Sequence, residues 1–136
     1  MVSVEQVSPM HVVAIWPRVE PFLARALVFA AGDYTIDQLK AFLVGGHQVL
    51  LVADNDGEIV GAATVCPIRY PNATVAFITS IGGRLISNQD LFTQLCDWCR
   101  GQGFTDIRGA VRESVARLYR QKFGFGDVYQ IVGRQL

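Results

Sequence analysis

Charge is scarce in this chain of 136 residues: 18% of the side chains are charged, twelve of each sign, and the formal net charge is zero. That balance argues against bulk electrostatic capture of nucleic acid or of an anionic membrane. Long apolar runs are also missing. No stretch of 18 apolar residues occurs, which rules out a membrane-spanning helix, and the N-terminus carries Glu5 and no basic segment ahead of an apolar one, so no secretory leader is expected. Cysteine is limited to Cys66, Cys96 and Cys99. Three thiols cannot all pair within one chain, so free thiols in a reducing compartment are the simplest reading. Histidine is limited to His11 and His47. They lie far apart in the chain, no Ser-His-Asp or Cys-His grouping can be drawn from them, and His47, after Gly45-Gly46, reads as loop rather than base.

Apolar residues, by contrast, make up 51% of the chain, more than a typical domain carries. The length fits one domain spanning residues 1–136, large enough to bury a core without disulfides or metals. So little charge on the surface points to a face covered by protein. Internal repeats, low-complexity tracts and linkers are absent.

The period of the apolar residues changes along the chain. Val2 to Val7 reads as a short strand. Ser8-Pro9 is a helix-start signal continued to Trp16, and Pro17 and Pro21 interrupt it, so a second helix is expected from about Arg18 to Ala30. Thr35 is an N-cap for a third helix through Ile36, Leu39, Phe42 and Leu43, stopped by Gly45-Gly46. Gln48 to Asp54 is a continuous apolar run, Asn55-Asp56-Gly57 a tight turn, and Glu58 to Val65 the returning strand of a hairpin. Pro67 and Tyr70-Pro71-Asn72 break the chain before a strand from Thr74 to Ile81. Gln89 to Arg100 is an amphipathic helix, Thr105 to Ala110 a strand, Glu113 to Phe123 a helix stopped by Gly124, and Val128 to Val132 a last strand. The fold class is α+β: a mostly antiparallel sheet with one parallel crossover in the second half, flanked by helices.

Two segments carry a resemblance. Ala53-Asp-Asn-Asp-Gly-Glu-Ile-Val-Gly61 is similar to the β-hairpin of the GNAT superfamily of acyl-CoA-dependent N-acyltransferases, and Arg117-Leu-Tyr-Arg-Gln-Lys-Phe-Gly-Phe125 to its last helix and Gly-Phe stop. The element order agrees over nearly the whole length. Ile68-Arg-Tyr-Pro71, Ile81-Gly-Gly-Arg84 and Trp98-Cys-Arg-Gly-Gln-Gly-Phe104 further resemble a group of short GNAT-like proteins of tailed phages.

The resemblance implies a CoA cleft where the fourth strand splays from the fifth, with the pyrophosphate on the N-terminus of the next helix, held by a Gln/Arg-x-x-Gly-x-Gly/Ala loop. Glycines let the backbone approach phosphate, and the helix end supplies partial positive charge. At the family's spacing this chain has Ile86 and Asn88 in place of the glycines. Gly82, Gly83 and Arg84 come earlier, so either a shifted anion cradle of Ile81, Gly82, Gly83, Arg84, Ser87 and Asn88 forms, or Gly82-Gly83 is a simple turn with Arg84 in solvent. Many members of the family protonate the departing thiolate with a tyrosine four residues before the Gly-Phe glycine. Here that position is Arg120, and Tyr119 is one residue off, about 100° around the helix. Tyr119 shares a face with Val115 and Leu118, the pattern of core packing, so it is read either as packing or as the catalytic acid.

No metal site is expected, because Cys96-Asp-Trp-Cys99 lies inside a helix and lacks a second ligand pair. Asn72-Ala-Thr74 is a glycosylation sequon with no bearing on an unsecreted chain. Charge is unevenly divided: residues 1–68 hold three basic and seven acidic side chains, residues 69–136 nine and five. An acidic half and a basic half suit head-to-tail contact between copies, with Arg112, Arg117 and Arg120 at a protein contact. Two functions are thus expected. The main reading is a non-catalytic GNAT-fold protein, a structural or assembly component of a phage, with no cofactor, bound to copies of itself or to phage structural proteins, in the host cytoplasm or the virion. The alternative is an N-acetyltransferase using acetyl-CoA through a degenerate pyrophosphate loop.

Overall fold

The computed structural model describes residues 1–29 and 32–136. In chain order the elements are β1 (Val2–Val7), a 3-10 turn (Pro9–His11), α1 (Val12–Leu27), α2 (Ile36–Val44), β2 (Val49–Asn55), β3 (Glu58–Tyr70), β4 (Ala73–Gly83), a 3-10 turn (Arg84–Ile86), α3 (Gln89–Gly101), β5 (Asp106–Gly109) and α4 (Glu113–Phe123). The five strands form one sheet in sequential order. Neighbours are antiparallel except β4 and β5, which run parallel and are joined by the α3 crossover. The expected class and the expected crossover are both observed.

The apolar run of β2 follows from helices on both faces of the sheet. Leu50 and Val52 point toward α1 and α2, into a core with Val12, Trp16, Val19, Leu23, Leu39 and Leu43. Leu51 and Ala53 point the other way, where α3 supplies Leu91, Leu95 and Cys99. The hairpin between β2 and β3 turns on Asp56 (φ 52°) and Gly57 (φ 93°), the doubly positive geometry that suits a two-residue hairpin loop. Thr35 and Gln38 cap α2 reciprocally: the Thr35 hydroxyl accepts from the Gln38 N–H, and the Gln38 Oε1 from the Thr35 N–H.

Three expectations need correction. Pro17 and Pro21 do not divide the helix, since α1 is continuous through both. Each proline removes a backbone hydrogen bond, but both are exposed, so water can serve the freed carbonyls while the opposite face keeps Val12, Trp16, Val19 and Leu23 buried. The expected helix end at Ala30 lies outside the described residues. Pro67 does not end β3 either, because the strand runs on to Tyr70. Val65 pairs with Val49, the first residue of β2, so beyond it β3 has β4 alone as a neighbour and tolerates a proline as an edge strand does. Finally, Val128–Val132 forms no strand. Extended residues become a strand only when a partner takes their hydrogen bonds, and Val128, Tyr129, Ile131 and Val132 stand exposed instead.

The two ends of the sheet differ. At β1, the Gln94 side chain of α3 accepts from Val4 N–H (2.9 Å) and donates to Val2 C=O (3.0 Å), standing in for a further strand. At β5 no further strand pairs among the described residues. The helix α4 buries no residue fully and is held by rings: Phe123 stacks on Phe92 of α3 at 4.3 Å, and Tyr119 lies 5.2 Å from Phe125. Gly124, at φ 71°, gives α4 the left-handed end expected of it.

Gly83 sits at φ 71°, and a Cβ there would fall 2.4 Å from the Val60 carbonyl oxygen. Gly83→Ala should therefore lose on the order of 3 kcal/mol, combining overpacking with a backbone region open essentially to glycine alone. Gly57→Ala, with a positive φ but open space around it, should lose only about 1 kcal/mol. Urea denaturation of the two variants measures the contrast.

Candidate active site

The β4–β5 ladder is short. It covers Val75↔Asp106 to Ile78↔Gly109 and then stops, while β4 continues five residues further with β3 as its partner. The strands part at an irregularity: Thr64 pairs with Ser80 and Val65 with Ile78, leaving Thr79 as an extra residue in β4. A bulge of this kind bends its strand and re-aims the side chains beside it. Past Ile78 and Gly109 β5 no longer pairs with β4, which leaves a gap in the ladder along residues 79–83.

Buried hydrogen bonds hold the bulge. The Thr79 hydroxyl donates to Gln48 Oε1 at 2.6 Å and lies 2.7 Å from the Thr64 hydroxyl, which then donates to it. Gln48 and Thr64 are buried, so each polar group needs its partner. Ser80 turns toward α1 and donates to the Leu23 carbonyl at 3.3 Å.

The residues proposed for an anion cradle fall at the far end of β4. Ile81 packs against the core on the α3 side. Gly82 and Gly83 are paired with Ala62 and Gly61 inside the sheet. Their missing side chains make room for protein, since a Cβ on Gly82 would meet the Phe22 carbonyl oxygen at 2.7 Å and one on Gly83 the Val60 carbonyl oxygen. Arg84, Ser87 and Asn88 are brought together in one turn, where the Asn88 N–H donates to the Arg84 carbonyl at 2.9 Å. Asn88 caps α3 by accepting from the Leu91 N–H at 3.0 Å, and Asp90 adds a negative charge to the first turn. Arg84 is exposed and has no ion pair among the described residues.

Tyr119 belongs to the ring cluster of Phe92, Phe123 and Phe125, away from any hydrogen-bond partner among the described residues, and burial raises its pKa. Arg120 pairs with Glu113 and Asp127. Arg112 lies over the Phe29 ring, 4.1 Å from its centroid. Arg117 is exposed and has no ion pair among the described residues.

Two hollows flank the sheet. One of about 370 Å³ lies between α3, β5 and the segment after α4, with Cys96, Cys99 and Arg108 in its wall. Arg108 is 3.9 Å from Asp106 and stands over the Tyr70 ring, while its Nε is buried without a partner. The other, of about 700 Å³, opens on the α1–α2 face, and its lining includes Asp33, Tyr34, Phe42, His47 and Phe77. The sequence reading places His47 in a loop, as observed, but misses its neighbours, which come from three separate segments.

No protein-family model matches the chain, and no curated protein matches it either. Solved structures do. A predicted acetyltransferase from Clostridium acetobutylicum, solved with acetyl-CoA, superposes with a TM-score of 0.64 at 12% identity, covering 99% of this chain and 96% of that one. The ribosomal-protein-alanine N-acetyltransferase from Brucella melitensis biovar Abortus 2308 gives 0.68 at 15% identity, with 99% of both chains covered. AAC(6')-Iy in complex with the bisubstrate analogue CoA-S-monomethyl-acetylneamine gives 0.65 at 15%, covering 100% and 98%. The chain therefore has the fold of the GNAT acetyltransferases. The phage sub-group drawn from the sequence gains no support from these likenesses.

Two outcomes test the local chemistry. Thr79→Val leaves the buried Gln48 oxygen without its donor and should cost about 1–3 kcal/mol in urea denaturation. Burial pushes the Cys99 thiol up to about 11, with Cys96 adding to the effect. Only about one Cys99 in a thousand is then ionised at pH 8, so iodoacetamide should label it last of the three cysteines. The same shift means that folding favours the neutral thiol. Its contribution to stability is present below about pH 9 and is lost as the pH rises through about 11.

Proposed function

We propose that this chain is an acetyl-CoA-dependent N-acetyltransferase, the alternative raised by the sequence. The observation that carries it is the gap between β4 and β5 opening at the Thr79 bulge, with Arg84 and the start of α3 at its head. The likeness to acetyltransferases solved with acetyl-CoA and with a CoA bisubstrate analogue supports the same reading.

The residues present fit the donor in part. The free β4 edge at residues 79–83 offers backbone N–H and C=O groups to an extended amide chain, as a sheet edge does to an added strand. Arg84, with the backbone of Ser87 and Asn88, would hold the pyrophosphate. Gly82 and Gly83 are assigned to packing against Phe22 and Val60, so the anion contact rests on the turn after them. When bound, the donor supplies an acetyl thioester for transfer to an amine. Thr79 sets the angle of the strand beside it, and Gln48 and Thr64 hold Thr79 in place. Tyr119 is assigned to packing α4 on α3, and its raised pKa keeps the phenol neutral.

A second reading concerns association and is compatible with the first. The exposed apolar residues Val128, Tyr129, Ile131 and Val132 favour contact with another copy or a further protein. Of the three arginines proposed at such a contact, Arg112 and Arg120 have partners within the chain, which leaves Arg117 to reach outward.

Acetyl-CoA at one hundred times its dissociation constant should stabilise the purified chain by about 2.7 kcal/mol, a rise of several degrees in melting temperature. Arg84→Ala should weaken binding several-fold in calorimetry. A melting temperature unmoved by millimolar acetyl-CoA rejects the transferase reading, and full affinity in Arg84→Ala rejects the anion contact.

A further inference from the structure

We propose that the hollow on the α1–α2 face is the acceptor site, that it takes a primary amine carrying one positive charge on an apolar or aromatic body, and that His47 is the base that accepts the amine proton. The inference rests on the transferase reading and adds to it the substrate class and the base.

Phe77 belongs to β4, opposite Arg108 and two residues before the bulge residue Thr79. His47 precedes Gln48, whose side chain is bound to Thr79. The hollow therefore reaches β4 two residues before the bulge, next to the point where the pairing with β5 ends. Arg84 and Asn88 lie with α3, on the opposite side of the sheet from α1 and α2. A thioester passed through the gap from the α3 side would meet an amine held on the α1–α2 side, so the two substrates need not compete for one entrance.

Tyr34 meets Phe42 edge-on at 6.0 Å, and Phe42 meets His47 edge-on at 6.2 Å. With Phe77 these rings give the hollow an apolar, π-faced lining. Among the described lining residues Asp33 is the one carboxylate, and none is lysine or arginine. Ring faces and a carboxylate attract a cation, and the lack of a basic partner disfavours an anion. Gln38 is committed through its Oε1 to the Thr35 N–H, and its amide N–H₂ has no hydrogen-bond partner among the described residues. One carboxylate balances one ammonium. A polycationic, polyhydroxyl acceptor such as an aminoglycoside would leave charges and hydroxyls against aromatic carbon, so this hollow selects against it.

Imidazole is the side chain suited to exchanging protons near neutral pH. His47 is exposed at the mouth of the hollow, held there by its own N–H donating to the Phe42 carbonyl at 2.9 Å. His47 takes a proton from the ammonium and frees the nitrogen lone pair for the thioester carbonyl. The C–N bond forms and the C–S bond breaks, with the electron pair leaving on sulfur. An ammonium and a thioester thus become an amide, a thiol and one proton released to solvent.

The test uses 2-phenylethylamine as probe, with 2-phenylethanol as its uncharged counterpart, on the full chain. Expected are saturable amine binding in NMR titration with shifts at His47 and Phe77, at least fivefold weaker binding of the alcohol, and at least fivefold weaker amine binding by Asp33→Asn, whose melting shift with acetyl-CoA stays intact. In steady-state assays His47→Gln should lower kcat at least a hundredfold with KM for the amine little changed, and added imidazole should restore part of the rate to His47→Ala. Amine binding that ignores Asp33→Asn, or shifts that map elsewhere, overturns the acceptor site. An unchanged kcat in His47→Gln overturns the base. If acetyl-CoA fails to bind while the amine still does, the transferase reading falls and the acceptor role falls with it.

Discussion

A single surplus residue in β4 governs the geometry of everything around it. Thr79 has no partner in β3, and its hydroxyl is placed between Gln48 and Thr64. An unpaired hydroxyl in that interior would cost more than the hydrogen bonds themselves contribute, so the bulge is held as a unit by β3, β4 and the residue that leads into β2. The pairing of β4 with β5 ends at the residue before the bulge, so residues 79–83 of β4 pair on the β3 side alone. The Phe77 ring and the free backbone of residues 79–83 take their places from the same bend.

The glycines at the end of β4 illustrate how one residue type can serve two purposes that look alike on paper. Phosphate cradles and tight strand packing both require the absence of a Cβ. Here the space beside Gly82 is filled by the backbone of α1, and that beside Gly83 by β3. What is left for an anion is the following turn, where one cation stands free and the helix start is already partly satisfied by Asn88.

Much of the fold was legible because local signals and tertiary demands coincide. The unbroken apolar run of β2 needs cover on both faces and receives it, and the Thr35 cap and the Asp56-Gly57 turn are written in residues whose backbone preferences leave little choice. The misreadings share a cause. Pro17 and Pro21 weaken a helix locally, but the loss falls on the solvent face while burial acts on the other. The apolar alternation of Val128–Val132 records a tendency that only a neighbouring edge could realise. The gap itself carried no motif, because a bulge is an event of register rather than composition. The one hint was Gln48, a polar residue heading a buried strand. Asp33-Tyr34 and Phe77 lie far apart along the chain and meet only after α2 folds back on the sheet.

Gln94 gives the sheet a polarity unrelated to strand direction. Its amide occupies Val4 N–H and Val2 C=O at the β1 edge, while β5 has no strand beyond it among the described residues. A sheet that can be extended at one end only has a built-in stop. If two copies join β5 to β5, the edges left over are two β1 strands, each already partly occupied by Gln94, which disfavours growth beyond a pair into a fibre.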